Sequence, residues 1–320
     1  MSGSKPMVSI GMPTYNGERF IRQSLDSLLA NDYHNFELII SDNASTDATA
    51  DICLEYLAKD KRIQYYRNDT NRGAIFNFNR VFDLCHGKYC MFAADHDLWH
   101  PSFISHCVSI LESQPDVVLV YPRTMLIDSS GSPLGLMTDQ IDTRGEKPIA
   151  RFRHIIWELG WCNMVYGVIR REALAQTGRF RCWAWDNVLL AELSLVGSYA
   201  QIPDPLFYRR ENRPREDREM KIKRVLFDLN PATAAETSIK SLPRELELAH
   251  LEIVARAPIS LVDKVRLWYS VKLRFGTMPR QLRCLRRIGK ILRRIAVIFL
   301  PARLRRRIRS VFPVLRRLST

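Results

Sequence analysis

Asp95, His96 and Asp97 place two carboxylates around one imidazole in the stretch FAADHDLWHP, directly after an apolar run that reads as a buried strand. Alternate carboxylates can hold one hard cation. Mg2+ or Mn2+ takes one or two protein carboxylates and lets phosphate oxygens complete its shell. The same tripeptide would also serve as a solvated loop before a helix that starts near Pro101, with Asp97 as its cap. Two more polar clusters follow apolar runs in the same way. Pro13, Thr14, Tyr15 and Asn16 (PTYN) combine hydrogen-bonding groups with a ring face on which a base could stack. Asp42 leads the stretch DNAS, where an acid closing a strand either accepts hydrogen bonds from a ribose or base, or starts a turn. Neither G-x-G-x-x-G nor G-x-x-x-x-G-K-[ST] occurs, which disfavours a dinucleotide fold and a P-loop.

The elements that would position these clusters alternate along the chain. MVSIGM (7–12), FELIIS (36–41), IQYYR (63–67), KYCMFAA (88–94) and DVVLVYP (116–122) read as strands. Between the first two, Phe20, Ile21, Leu25, Leu28 and Leu29 form one helical stripe. The next helix is expected to start at capping residues Ser45 and Thr46, with Asp47 in its first turn. GAIFNFNRVFDLC and residues 101–114 supply two more helices. This alternation predicts an α/β fold with a Rossmann-like, mainly parallel sheet flanked by helices and a helical, basic C-terminal extension. Ligands of such sheets sit at the carboxyl ends of the strands, where all three polar clusters fall. Beyond residue 122, LIDSSGSPLG reads as a hairpin with Asp128 in its turn, residues 151–210 mix short elements, and about 215–275 is helical.

Taken together, the clusters resemble the family-2 glycosyltransferases of the glycosyltransferase-A fold. The matching stretches are VSIGMPTYNGERFIRQSLDSLL, FELIISDNASTDAT, NRGAIFNFNRVF, HGKYCMFAADHDLWHPSFI and WDNVLLAELSLVG, in the family's order over residues 7–210. The resemblance implies a nucleotide-diphospho-sugar donor (UDP-sugar first), a divalent metal, Mn2+ or Mg2+, and an inverting transfer. It implies that Tyr15 stacks on the base, that Asp42 binds it, and that Asn71 and Gly73 line the same pocket beside Pro13, Thr14 and Asn16. It also divides the chain into a catalytic domain (1–215, with 7–121 on the donor side and 122–215 on the acceptor side), a helical extension (216–279) and a tail (280–320).

One slot departs from the family pattern. Where an aspartate usually meets the metal stands His96, with Asp95 and Asp97 on either side. Either a flanking carboxylate reaches the metal, or His96 ligates it, which would suit Mn2+ better than Mg2+ because imidazole is the softer donor. A third course is weaker metal dependence, with cationic side chains neutralising the diphosphate. Asp186 matches the family's base, the carboxylate that takes the acceptor proton; read alone, it would be a helix N-cap. Trp183 and Trp185 could stack on an acceptor sugar, Arg209 and Arg210 could grip the diphosphate, and Asn163, Gly167 and Arg170 would border the acceptor cleft.

Charge is distributed unevenly. After Asp263 there is no acidic residue, and residues 264–320 carry 18 Lys and Arg; the preceding 263 residues hold 30 basic against 34 acidic side chains, a net of −4. In the tail, Leu282, Leu285, Ile288, Leu292, Ile295 and Phe299 recur at helical spacing among arginines, the pattern of a basic amphipathic helix on an anionic membrane. A nucleic-acid arm would have the charge without needing the apolar stripe. Seven scattered cysteines without a C-x-x-C pair, no apolar leader and no run of ~18 apolar residues predict a cytoplasmic protein attached peripherally to the inner face of the membrane. The alternatives are a sugar-nucleotide pyrophosphorylase, a degenerate nucleotide-sugar-binding protein and a nucleic-acid-binding protein. PTYNGERF lacks the glycine- and lysine-rich phosphate loop the first would want.

Overall fold

The computed structural model describes residues 7–276 apart from residues 139, 183, 212–217, 233, 235–237 and 240. Trp183 and the tail stripe, on which two expectations fall, lie outside the described residues. The first half follows the predicted alternation: β1 (Val8–Thr14), α1 (Ile21–Leu29), β2 (Phe36–Asp42), α2 (Thr49–Lys59), β3 (Ile63–Arg67), α3 (Gly73–Asp83) and β4 (Tyr89–Phe92). After β5 (Leu98–Trp99) and α4 (Phe103–Ser113) come β6 (Val117–Ile127), β7 (Pro133–Leu136), α5 (Pro148–Glu158), β8 (Val168–Arg170) and α6 (Arg171–Ala175). The last elements are α7 (Trp185–Val196), β9 (Ser198–Arg210), α8 (Arg218–Leu229), α9 (Leu242–Arg256) and α10 (Leu261–Phe275).

One sheet joins the strands in the order β3-β2-β1-β4-β8-β6-β9-β5, with β7 on β6. Its first four strands are parallel. Residues 117–121 form the expected strand, but not beside β4. The three-residue β8 is inserted there, antiparallel to both β4 and β6. A local pattern of alternation cannot register a strand that arrives later in the chain. The expected hairpin is the β6–β7 pair, and Asp128 closes its turn by accepting from the Ser130 and Ser132 amides.

Period-two burial explains the layers. Val8, Ile10 and Met12 of β1, with Leu38 and Ile40 of β2, pack against α1, α2 and α4. Ile39, Cys90 and Phe92 point the other way, into a core shared with α3, α5 and α7. α2 begins later than expected, because Asp47, not Ser45, accepts the Thr49 amide at 3.0 Å. Ser45 and Thr46 are used instead to bind the neighbouring loop.

α9 and α10 close over the second core, where His250 is fully buried and stacks on Phe275 with centroids 4.4 Å apart. Burial is the main cause that lowers its pKa from 6.5 to about 4. Between these two values the unfolded chain binds a proton that the folded one refuses, so stability is lost as pH falls. The loss expected from pH 6.5 to 4 is about 3 kcal/mol. Urea titrations of His250→Phe should show that part of the slope gone; an unchanged slope would remove His250 as its source.

Candidate functional site

The three polar clusters meet at the carboxyl edge of β1, β2 and β4. Thr14 ends β1, is buried, and its hydroxyl donates to Asp95 Oδ2 at 2.6 Å, tying the first strand to the loop after the fourth. A β-carbon at Gly17 would lie 2.6 Å from that carboxylate oxygen and 2.9 Å from Thr14 Oγ1, so only glycine lets the loop pass beneath. Asn16 adopts a left-handed conformation (φ 53). Its amide donates to Ser45 Oγ, and its Oδ1 accepts the Thr46 amide at 2.8 Å. Thr14, Asn16 and Gly17 thus build the loop that presents Tyr15. Tyr15 is 42% exposed there.

Asp42 lies beneath this surface and is fully buried. Its carboxylate accepts from the Ser45 amide, the Tyr65 hydroxyl and the Arg67 guanidinium. Burial first, and the bond to Asp42 second, push the Tyr65 hydroxyl up to about 12, which keeps it a donor. Through that bond Asp42 also positions Arg67, its register partner on β3. Asn71 and Gly73 shape the next loop. Asn43 Nδ2 donates to Asn71 Oδ1, which also accepts the Gly73 amide, while Gly73 (φ 82) makes the left-handed step into α3.

The DHD loop divides its three side chains between two tasks. Asp95 Oδ1 lies 2.9 Å from His96 Nδ1, and the two side chains are 16% and 31% exposed. Asp97 points inward, 1% exposed, with Oδ1 accepting the Arg210 amide at 2.8 Å. Burial pushes its carboxyl up. Asp97 thus anchors the loop, while its Oδ1 stays 3.9 Å from His96 Nε2. Among the described residues, no three His, Cys, Asp or Glu side chains are grouped as a cation site. A carboxylate with lone pairs to spare and an adjoining imidazole still fit a cation that takes most of its ligands from a diphosphate.

β9 brings the basic residues to this loop, because Leu98 of β5 pairs with Tyr208. Arg210 is 3% exposed and donates to the carbonyls of His96, Asp128 and Ser129 and to Gln23 Oε1. With its donors engaged by three carbonyls and a glutamine, it buckles β9, the DHD loop and the hairpin turn together. Arg210→Leu should leave those acceptors unpaired and lower stability by about 3 kcal/mol. An unfolding midpoint unchanged in urea would contradict that role.

Arg209 is the residue turned toward the site. Its guanidinium donates to Asn163 Oδ1, lies over the Trp161 ring at 5.3 Å, and is close enough to Asp97 and Asp186 to favour the charged form of both. Asp186 sits in the first turn of α7. The N-cap is Ala184, in a left-handed conformation (φ 54) and without a side-chain bond, so Asp186 is not the cap. Its Oδ1 accepts the Asn187 amide, Cys162 bonds to its side chain, and burial pushes its pKa above the ordinary carboxylate value.

Three residues expected on the acceptor side make other contacts in the structure. Trp185 is packed against Phe78 and Phe180, with centroids 4.7 and 4.5 Å away, and is 9% exposed, so it offers no stacking face. Arg170 donates to the carbonyls of Val117, Leu111 and Gln114 beside the amino end of β4, away from the clusters. Gly167 is tight against the Val120 carbonyl and serves packing. Sequence reasoning passed over Arg67, Gly17 and Cys162. Arg67 alone left a trace, as the cation closing the strand after Asp42's.

Comparison with known proteins decides the family. The model of glycosyl transferase family 2 matches residues 9–171, half of the chain. The chain belongs to this family. An uncharacterized glycosyltransferase of Rickettsia typhi is 34% identical over 130 residues, covering 40% of each chain. An uncharacterized glycosyltransferase of Nostoc is 26% identical over 217 residues, 63% of this chain and 64% of that protein. The chain therefore spans about two fifths to just under two thirds of the length of these relatives. Among solved structures, Staphylococcus aureus TarS (residues 1–349) aligns with a TM-score of 0.61 at 15% identity, over 86% of this chain and 74% of that one. At that identity the likeness speaks for the fold, a glycosyltransferase-A sheet.

Proposed function

We propose that this family-2 glycosyltransferase moves a sugar, with inversion, from a nucleotide-diphospho-sugar to a saccharide or lipid-linked acceptor in glycan or polysaccharide synthesis. The observation that carries this reading is Asp186, a half-buried side chain in the first turn of α7 whose pKa burial raises and which the Arg209 charge reaches. In this scheme the base of the donor stacks on Tyr15 and meets Arg67 at its edge. Asp95 and His96 would hold a divalent cation, Mn2+ before Mg2+, which neutralises charge on the diphosphate when bound. Arg209 stabilises the leaving diphosphate from the β9 side. Asp186 takes the acceptor hydroxyl's proton as that oxygen bonds the anomeric carbon, and the bond from that carbon to the diphosphate oxygen breaks on the opposite face. UDP-GlcNAc is the ligand in the TarS structure, in keeping with a UDP-sugar here.

The tail of residues 280–320 would attach the enzyme to the cytoplasmic face of an anionic membrane, where each cation near the surface contributes about 1 kcal/mol. No described helix is long and apolar enough to cross a membrane. A thermal-shift screen of nucleotide sugars with Mn2+, Mg2+ or chelator tests the donor site. A donor at 100 times its Kd should stabilise by about 2.7 kcal/mol. If no nucleoside diphosphate sugar raises the melting temperature, the proposal fails. Stabilisation without turnover on any acceptor would favour the degenerate binding protein instead.

A further inference from the structure

α10 is amphipathic twice over. Its inner side is docked: Leu267, Ser270 and Val271 are buried, Ser270 Oγ accepts from Trp157 Nε1, and Arg274 donates to the Ile156 carbonyl. Its outer side carries Leu261 (78% exposed), Val262 (60%), Val265 (60%), Trp268 (47%) and Tyr269 (43%). At 100° per residue these five fall within an arc of about 120°. Lys264 and Arg266 flank that arc on its two sides. Single exposed apolar residues are ordinary, but a contiguous face of five that includes Trp and Tyr marks an interaction surface.

We propose that the outer face of α10 inserts into the headgroup region of an anionic membrane. Charge complementarity selects this occupant. The apolar arc is bordered by cations, and from Lys264 onward the chain has 18 basic and no acidic residues. Nucleic acid would use the charge but leave Leu261, Val262 and Val265 without a partner, whereas a protein groove would use the apolar face without calling for so many cations. Trp and Tyr favour the membrane interface, where the ring is buried and its polar tip stays wet. Ser260 fixes the start of the helix by accepting the Asp263 amide, so the face is already formed before it meets lipid. The inference rests on the membrane attachment proposed for the tail, but it assigns a separate, folded anchor point 15 residues long.

The test uses the full-length chain and vesicles of phosphatidylcholine with or without 30% phosphatidylserine. Val262→Glu combined with Val265→Glu should weaken partition into the anionic vesicles at least tenfold, with circular dichroism and melting temperature unchanged. Brominated lipids should quench the wild-type tryptophan fluorescence, and Trp268→Phe should lose most of that quenching. Undiminished partition of the glutamate variant, or quenching that does not depend on Trp268, overturns the proposal; the latter would mean that another tryptophan, not the α10 face, meets the lipid. A second full-length variant, with Arg303, Arg305, Arg306, Arg307 and Arg309 changed to Gln, separates the tail from α10. Should only this variant lose binding, α10 is refuted and the tail stands; should only the glutamate variant lose it, α10 stands and the tail reading fails.

Discussion

Asp186→Asn should lower kcat by about 10²–10⁴ while donor binding in a thermal-shift titration stays within about twofold. Asparagine keeps the shape of the side chain and an oxygen for the Asn187 amide, so the start of α7 should persist. What it lacks is a lone pair basic enough to take the acceptor proton. The pH profile gives the sharper reading. Burial raises the Asp186 pKa, so kcat/KM should climb with pH along a limb above the ordinary carboxylate range, as the carboxyl ionises. In the asparagine variant that limb should vanish from the residual rate. Normal turnover by the variant would mean that another group is the base.

Arg209→Gln should cost about 10²–10³ in kcat, the range found when one preorganised donor is lost from a developing oxyanion. It should also move the acid limb of the profile to higher pH. The Arg209 charge is one of the influences holding the Asp186 pKa down, and its removal leaves burial less opposed. Arg209→Lys should restore the position of the limb but only part of the rate, since an ammonium keeps the charge without the planar fork. An arginine that merely packed on Trp161 and Asn163 would move the limb when lost but leave kcat on its plateau nearly unchanged.

Much of this site was legible in the sequence because strand ends are marked by composition. Apolar runs closing at PTYN, SDNAS and DHD located the carboxyl edge of the sheet, and the structure brings all three together there. Which member of each cluster faces the ligand was not legible. Asp97 and His96 are adjacent in the chain, yet one is sealed under the Arg210 amide and the other is half-open. Arg209 and Arg210 separate because neighbours on a strand point to opposite sides. One reaches the site and the other spends its donors on three carbonyls and a glutamine. The role of β8 was also invisible, because insertion between β4 and β6 depends on contacts made across the sheet and not on any local pattern. Arg67 could have been found by pairing register, since it lies opposite Asp42 on the next parallel strand.

The most direct test of glycosyl transfer is an NMR assay of the full-length enzyme with a panel of UDP- and GDP-sugars, a mixed saccharide and lipid-linked acceptor extract, and Mn2+. The account predicts release of the nucleoside diphosphate together with a product whose anomeric configuration is opposite to that of the donor, and neither in Asp186→Asn. A product of retained configuration, or equal release by the variant, would contradict it.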